Sequence, residues 1–507
     1  MPAPGSLRIT RLWPAAAVAA AGLATATTAA AAPPQVGLLV THDRIATEES
    51  TVLPQYVPAV AFLVNRGGPL DVAVRRTPGT DDWEALQTVD GVAAPVPPGV
   101  PVGPRGFGRA VAVTVLDGGR RVVRRGAVDL CPGVGALRLG VRGPALSSFP
   151  AGCSYHPFAR GVRLGLDTDY GAPIDLSPVA GVGLRPGRYT VRLRVRSAIA
   201  AWLGMPPSGR ATTLRLRVRP ARGEGEGVDR IVITLPGGPV AEVGPAVHTP
   251  SRDPSRIPRH VRRAPVPPTD VVPPADALPN LVALPAYALE VRSELGRDLL
   301  DFAATTWNAG PGPLIVEGYR RSAAPRMEAF QFFRRGEQDV AAVPVGGLDY
   351  DVREGHEHWH FRDFARYSLV GADGSHVRTS PKEAWCLAPT DQIDQLVPGA
   401  ALKPGDPSLA SACGEADAVQ VREVLEVGAG DTYGAGTPGL AIDVTRVPNG
   451  AYLLRNEANP AGALRETTRD DDVAVRHIVL GGALGHRTVA APPADGVDTE
   501  GWAERRR

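Results

Sequence analysis

At 507 residues with 43% apolar content, the chain is long enough for two or three domains, each with its own core. Aromatics make up only 5%, while 58 Gly and 51 Pro punctuate the sequence, which argues against helix bundles and for short strands joined by turns. The formal net charge is +2, so there is no global electrostatic case for nucleic acid or an anionic membrane as partner.

Residues 1–32 read as an export signal. Arg8 and Arg11 give a positive start, Trp13 to Leu23 a short apolar core, and the Ala/Thr run to Ala32 small residues for cleavage. That core is too short to span a bilayer, and no later segment reaches ~18 uninterrupted apolar residues. The expectation is a secreted, extracellular protein with no transmembrane segment.

Residues 33–236 alternate apolar and polar side chains between Gly/Pro turns and are expected to form one or two β-sandwich modules. Strands are predicted at Val57–Val64, Arg109–Val115, Arg120–Ala127, Arg188–Arg196, Thr213–Val218 and Ile231–Leu235. The arginines of Tyr189–Arg196 fall on one face, which reads as solvated. His42 and His156 stand alone and read as surface or turn residues. Residues 237–277 form a Pro- and Arg-rich linker, with Val266-Pro267-Pro268 and Val272-Pro273-Pro274 favouring extended backbone. A second antiparallel β domain is expected over 278–485, with strands at Leu300–Trp307, Leu314–Glu317, His356–Phe361, Ala365–Leu369, Gly439–Val444 and Ala451–Arg455. A flexible tail, 486–507, closes the chain.

There are four cysteines, Cys131, Cys153, Cys386 and Cys413. An even count in an exported chain implies two disulfides. Of the three connectivities, proximity favours Cys131–Cys153 and Cys386–Cys413, one per half. None has the Cys-x-x-Cys spacing of a cysteine metal site.

Of the 55 Lys and Arg residues only two are lysines, Lys382 and Lys403. Arginine replaces lysine wherever charge alone is wanted, but a guanidinium cannot lose its proton and attack carbon. A lysine that survives this bias is a candidate for chemistry. Upstream of Lys382 lie three of the ten histidines, His356, His358 and His360, spaced two apart. On a strand all three share a face, with neighbours ~6.6 Å apart and the outer pair ~13 Å apart, so one ion can use all three only if the strand bends. Imidazole suits copper and zinc alike. A stripe of hydrogen-bonded structural histidines is the alternative.

The run Gly355-His-Glu-His-Trp-His-Phe361, followed by Arg362-Asp-Phe-Ala-Arg-Tyr367, resembles the copper-binding segment of the lysyl oxidase family. Further matches follow in family order. Lys382-Glu-Ala-Trp-Cys-Leu387 resembles the segment with the cofactor lysine, and Asp431-Thr-Tyr-Gly-Ala435 the one with the cofactor tyrosine. Ile442-Asp-Val-Thr445, Pro448-Asn-Gly-Ala-Tyr452, Asn459-Pro460 and Glu466 continue the register.

The resemblance covers roughly 278–480 and implies a copper/quinone amine oxidase. His356, His358 and His360 would bind copper, and Lys382 and Tyr433 would form lysyl tyrosylquinone. The reaction it implies takes a primary amine or protein lysine, with O2, to an aldehyde, releasing ammonia and hydrogen peroxide. The sequence departs from the family at Tyr350 to Gly355, where a further histidine and cysteine are missing, and at Arg366, which stands where the family has a histidine. The base is therefore open, with Asp363 and Asp443 as first candidates. Asp470-Asp471-Asp472 reads as a solvated turn, with calcium binding as the alternative. Two rival functions remain: a non-catalytic secreted metal-binding β-sandwich protein, and a zinc hydrolase, which would lack the His-Glu-x-x-His signature.

Overall fold

The structure, a computed structural model, describes residues 32–50, 57–181, 183–220, 232–233, 241–242, 272–320, 325–353, 356–382, 384–400 and 409–499. The export-signal segment up to residue 31, most of the linker, and Lys403 lie outside the described residues. Within them the protein is all-β, with antiparallel sheets in both halves and two short α-helices, Ser177–Ala180 and Ser197–Trp202. No described helix is long and apolar enough to cross a membrane.

The N-terminal half is a β-sandwich made by period-two alternation. In Ala211–Arg219, buried Leu214, Leu216 and Val218 alternate with exposed Arg215, Arg217 and Arg219. This strand joins Gly187–Val195, Gly106–Leu116 and Val122–Leu130 in one sheet, with Arg44–Glu48 added in parallel at the edge. Its inner residues, among them Val113, Val191 and Leu216, share a core with Val72, Val74 and Leu164 of a second sheet and Leu63 of a third. Cys131 and Cys153 are bridged, as expected, with Cα atoms 5.9 Å apart.

In the C-terminal half three sheets enclose one core. The first pairs Arg297–Asn308 with Ala429–Tyr433, and the second runs from Ala384–Trp385 through His358–Arg362 and Gln338–Asp351 to Gln420–Leu425. The third carries Ala365–Gly371, Gly450–Ala458 and Val473–Ala483. Phe302, Trp359, Phe361, Trp385 and Leu454 meet in the middle. Ordered structure runs past residue 485: His486–Ala490 pairs with Val473–Ala483, and Val497 packs beside Trp307.

The two halves are in contact. The Arg160 amide donates to the Ile393 carbonyl at 2.6 Å, and Gly161 forms a bridge with Asp394. His156 is not a surface residue. It is 3% exposed, with Nε2 2.8 Å from Thr305 Oγ1, because Phe158 and its neighbours bury it against Tyr287. His42 is exposed, as expected.

Candidate metal and cofactor site

The histidine strand is placed by its neighbours. His358–Arg362 lies between Gln338–Asp351 and Ala384–Trp385. Trp359 and Phe361 are each 1% exposed and point into the core, so His358 and His360 share the opposite face. His356 precedes the strand rather than belonging to it. Its carbonyl accepts the His358 amide at 2.5 Å, a three-residue turn that folds the chain back. This turn provides the bend that three-histidine binding requires. The His356 and His360 ring centroids are 5.5 Å apart, and His358 lies 5.9 and 4.7 Å from them. One ligand nitrogen from each ring falls within 4.8 Å of the others.

The ring orientations fit an ion. Asp351 Oδ2 lies 3.3 Å from His360 Nδ1, which leaves His360 Nε2 buried without a hydrogen-bond partner, as is His356 Nδ1. Burial lowers both imidazole pKa values, with the Lys382 charge adding, and takes His360 down to about 2. Both rings are therefore neutral at ordinary pH, the state that binds metal. Burial raises Asp351, but its bonds to Arg353 outweigh that and hold the carboxyl well below its usual range. With bonds of ~2.0–2.1 Å, two ligand atoms sit at most ~4.2 Å apart, so modest rotamer adjustments close the tripod.

Lys382 lies two residues before the strand Ala384–Trp385 and is 1% exposed. Its Nζ has no hydrogen-bond partner and lies 4.6 Å from the centroid of the Trp385 ring and 5.2 Å from that of Tyr433. Burial lowers its pKa to about 8, with the Arg353 charge adding and Asp351 and Asp431 opposing. Tyr433 ends the strand Ala429–Tyr433, opposite Ala304. Its half-buried ring packs on Trp385 with centroids 4.1 Å apart, and its hydroxyl donates to the Cys386 carbonyl at 3.0 Å. Burial pushes the phenol pKa well up, and the Asp431 and Glu423 carboxyls add to this. The structure thus brings Lys382, just before a strand of one sheet, next to Tyr433, at the end of a strand of another.

The expected Cys386–Cys413 disulfide, with Cα atoms 6.0 Å apart, joins these parts. Cys386 holds the tyrosine hydroxyl, while the Cys413 carbonyl accepts the Trp359 amide at 3.0 Å, between two of the histidines.

Neither carboxylate first considered as a base is engaged with this pair. Asp363 occupies the turn after the histidine strand, in a left-handed conformation with φ 56°. Asp443 is exposed, and its bond from Thr445 keeps its pKa below the usual value. Arg366 is a half-buried strand residue opposite Glu457. The carboxyl that does interact with both Lys382 and Tyr433 is Asp431. It lies two residues before Tyr433 on the same face of the strand, is 3% exposed and keeps one oxygen without a partner. Burial raises its pKa well above the usual value, with Lys382 opposing. Its spacing from Tyr433 was the available sequence signal. Glu423, fully buried and accepting the Leu387 amide, also has its pKa raised by burial and acts on Tyr433 but not on Lys382.

Asp470-Asp471-Asp472 is not a uniformly solvated turn. Asp470 is exposed, but Asp472 is 2% exposed and bonded to Arg469, while Asp471 accepts from Asn280. Comparison of the chain with protein-family models and with curated proteins returns no match.

Proposed function

We propose that this protein is an exported copper-dependent amine oxidase that converts primary amines, peptidyl lysine among them, to aldehydes with release of ammonia and hydrogen peroxide. Its cofactor is lysyl tyrosylquinone, made from Lys382 and Tyr433. The observation that carries this reading is a buried, partnerless lysine amine 5.2 Å from the centroid of a tyrosine ring. Beside it, within range of the lysine charge, stand two of three convergent imidazoles. The two disulfides fit an oxidising destination outside the cell.

His356, His358 and His360 would hold the metal, with Asp351 fixing the His360 tautomer. Bound copper supplies, with O2, the oxidising power that turns a phenol ring into a quinone. Lys382 contributes an amine that loses its proton readily, since its pKa of about 8 leaves an appreciable neutral fraction near neutral pH. Trp385, packed against the tyrosine ring and below the amine, limits the motion of both. The Cys386 carbonyl fixes the ring's hydroxyl edge. Asp431 would take the proton from the substrate carbon next to nitrogen, and burial, by raising its pKa, makes it a stronger base.

Peptide mass mapping of copper-reconstituted protein tests the reading. The expected result is a cross-linked peptide containing residues 382 and 433, with amine-dependent peroxide release. Lys382→Arg is expected to keep copper but lose both signals, while Lys403→Arg keeps both. Recovery of 382 and 433 only in separate, unmodified peptides would leave the non-catalytic metal-binding reading in its place.

A further inference from the structure

The outer face of the N-terminal sheet presents a field of arginines. Residues directly opposite one another in a sheet point to the same side, so the register gives their arrangement. Arg215 faces Arg44, and Arg217 faces Arg188. Arg192 lies in a row with Thr213, Thr114 and Arg125, and Arg194 between Ala211 and Ala112. Arg219 completes the set, opposite Glu48. All eight of these arginines are exposed.

Carboxylates hardly enter this field. On the four long strands and the edge strand the only acidic residues are Glu48 and Asp129, both at its rim. Of the eight arginines only Arg44 has an ion-pair partner among the described residues, Asp43 at 3.9 Å, and that pair is exposed. Like charges placed directly opposite destabilise a sheet, and here two pairs are so placed, Arg215 with Arg44 and Arg217 with Arg188. Strands ~4.8 Å apart and ~3.4 Å per residue along each make the field about 19 by 27 Å, with charge recurring at ~7 Å steps along a strand. A small anion engages one or two of these guanidinium groups, whereas an extended polymer with repeating anionic groups engages many together.

We propose that this face docks an acidic polysaccharide, a chain bearing carboxylate or sulfate on successive sugars, and that the N-terminal module holds the protein on such a polymer. Guanidinium pairs with carboxylate and sulfate through parallel hydrogen bonds. The field carries no aromatic side chain for stacking nucleobases and no apolar helix for entering a lipid interface, so charge and planar hydrogen bonding are its means of recognition. The inference is independent of the amine-oxidase reading.

The test measures binding of the full chain to polygalacturonate and to heparin, with dextran as uncharged control. Wild-type protein is expected to bind both acidic polymers at low ionic strength, to ignore dextran, and to be released by about 1 M salt, where screening acts within ~3 Å. R192E/R194E/R215E/R217E is expected to weaken binding by about a hundredfold or more. The matching lysine variant, R192K/R194K/R215K/R217K, should keep most of it and, by its unfolding curve, exclude misfolding as the cause. R297E/R378E/R446E/R465E makes the same change in net charge at exposed positions of the other half and should retain wild-type binding. Equal binding by the field variant, equal loss in the control, or tighter wild-type binding to anionic vesicles or single-stranded DNA would each overturn the proposal.

Discussion

Holding a protonated amine where nothing accepts its hydrogens destabilises the fold, and the size of that effect follows from titration of Lys382. Its pKa falls from 10.5 to about 8, chiefly through burial. At ~1.36 kcal/mol per unit this is roughly 3 kcal/mol. Below the folded-state value both the folded and the unfolded chain carry the proton, and the full penalty applies. Between about 8 and 10.5 the folded chain releases the proton while the unfolded chain keeps it, so stability rises with pH. Above 10.5 both are neutral and the penalty is gone. Lys382→Met keeps the length of the side chain and removes the charge. In protein produced and kept free of copper, so that the amine stays unreacted, this variant is expected to be more stable than wild type by about 3 kcal/mol near pH 7, with the gap falling below about 1 kcal/mol by about pH 10. Urea unfolding across that range measures it. A gap of the same size at both ends of the range would refute the argument, because a packing effect does not titrate.

Three further outcomes are expected. Asp351→Asn removes the carboxylate that orients His360 and should weaken copper binding by roughly 10–100-fold in a chelator competition, with the fold intact. Asp431→Asn should lower amine turnover by about a hundredfold or more while copper content and quinone absorbance are retained; loss of the absorbance as well would assign Asp431 to cofactor formation. Replacing Cys386 and Cys413 together by Ser opens a loop whose ends are separated by 27 residues and should destabilise the C-terminal half by about 3.5 kcal/mol in denaturant unfolding, through loop-closure entropy. A loss below ~1 kcal/mol would mean that the surrounding sheets already hold the loop.

The parts of this structure legible in the sequence are those set by local periodicity. Alternation placed the arginine-bearing strands of the sandwich, and proximity paired the cysteines. The histidine spacing showed that a bend was required, but its form, a turn closed by the His356 carbonyl before the strand begins, depends on backbone hydrogen bonding that spacing does not encode. The hairpin Arg326–Arg335 with Gln338–Asp351 went unpredicted. Its first strand buries Phe330, Gln331, Phe332 and Phe333 in succession, which hides the period-two alternation, and its tight turn rests on Gly336 at φ 58°. Asp431, Asp472 and His156 escaped for a common reason. No local periodicity marks any of them as buried, and packing between distant segments, such as His156 against Tyr287, is what buries them.

Under the proposed function, the bridge between Cys386 and Cys413 would set the order in which the centre matures. One half-cystine holds the tyrosine hydroxyl and the other anchors the backbone between the histidines, so oxidation of the thiols ties the two sets of side chains to each other. In a reducing cytosol the chain would carry every side chain of the centre without their registration. If the proposed oxidation takes place, export would act as a developmental checkpoint, with disulfide formation first and ring oxidation second. Recombinant material made in a reducing compartment and later given copper would be expected to mature only after its thiols are reoxidised.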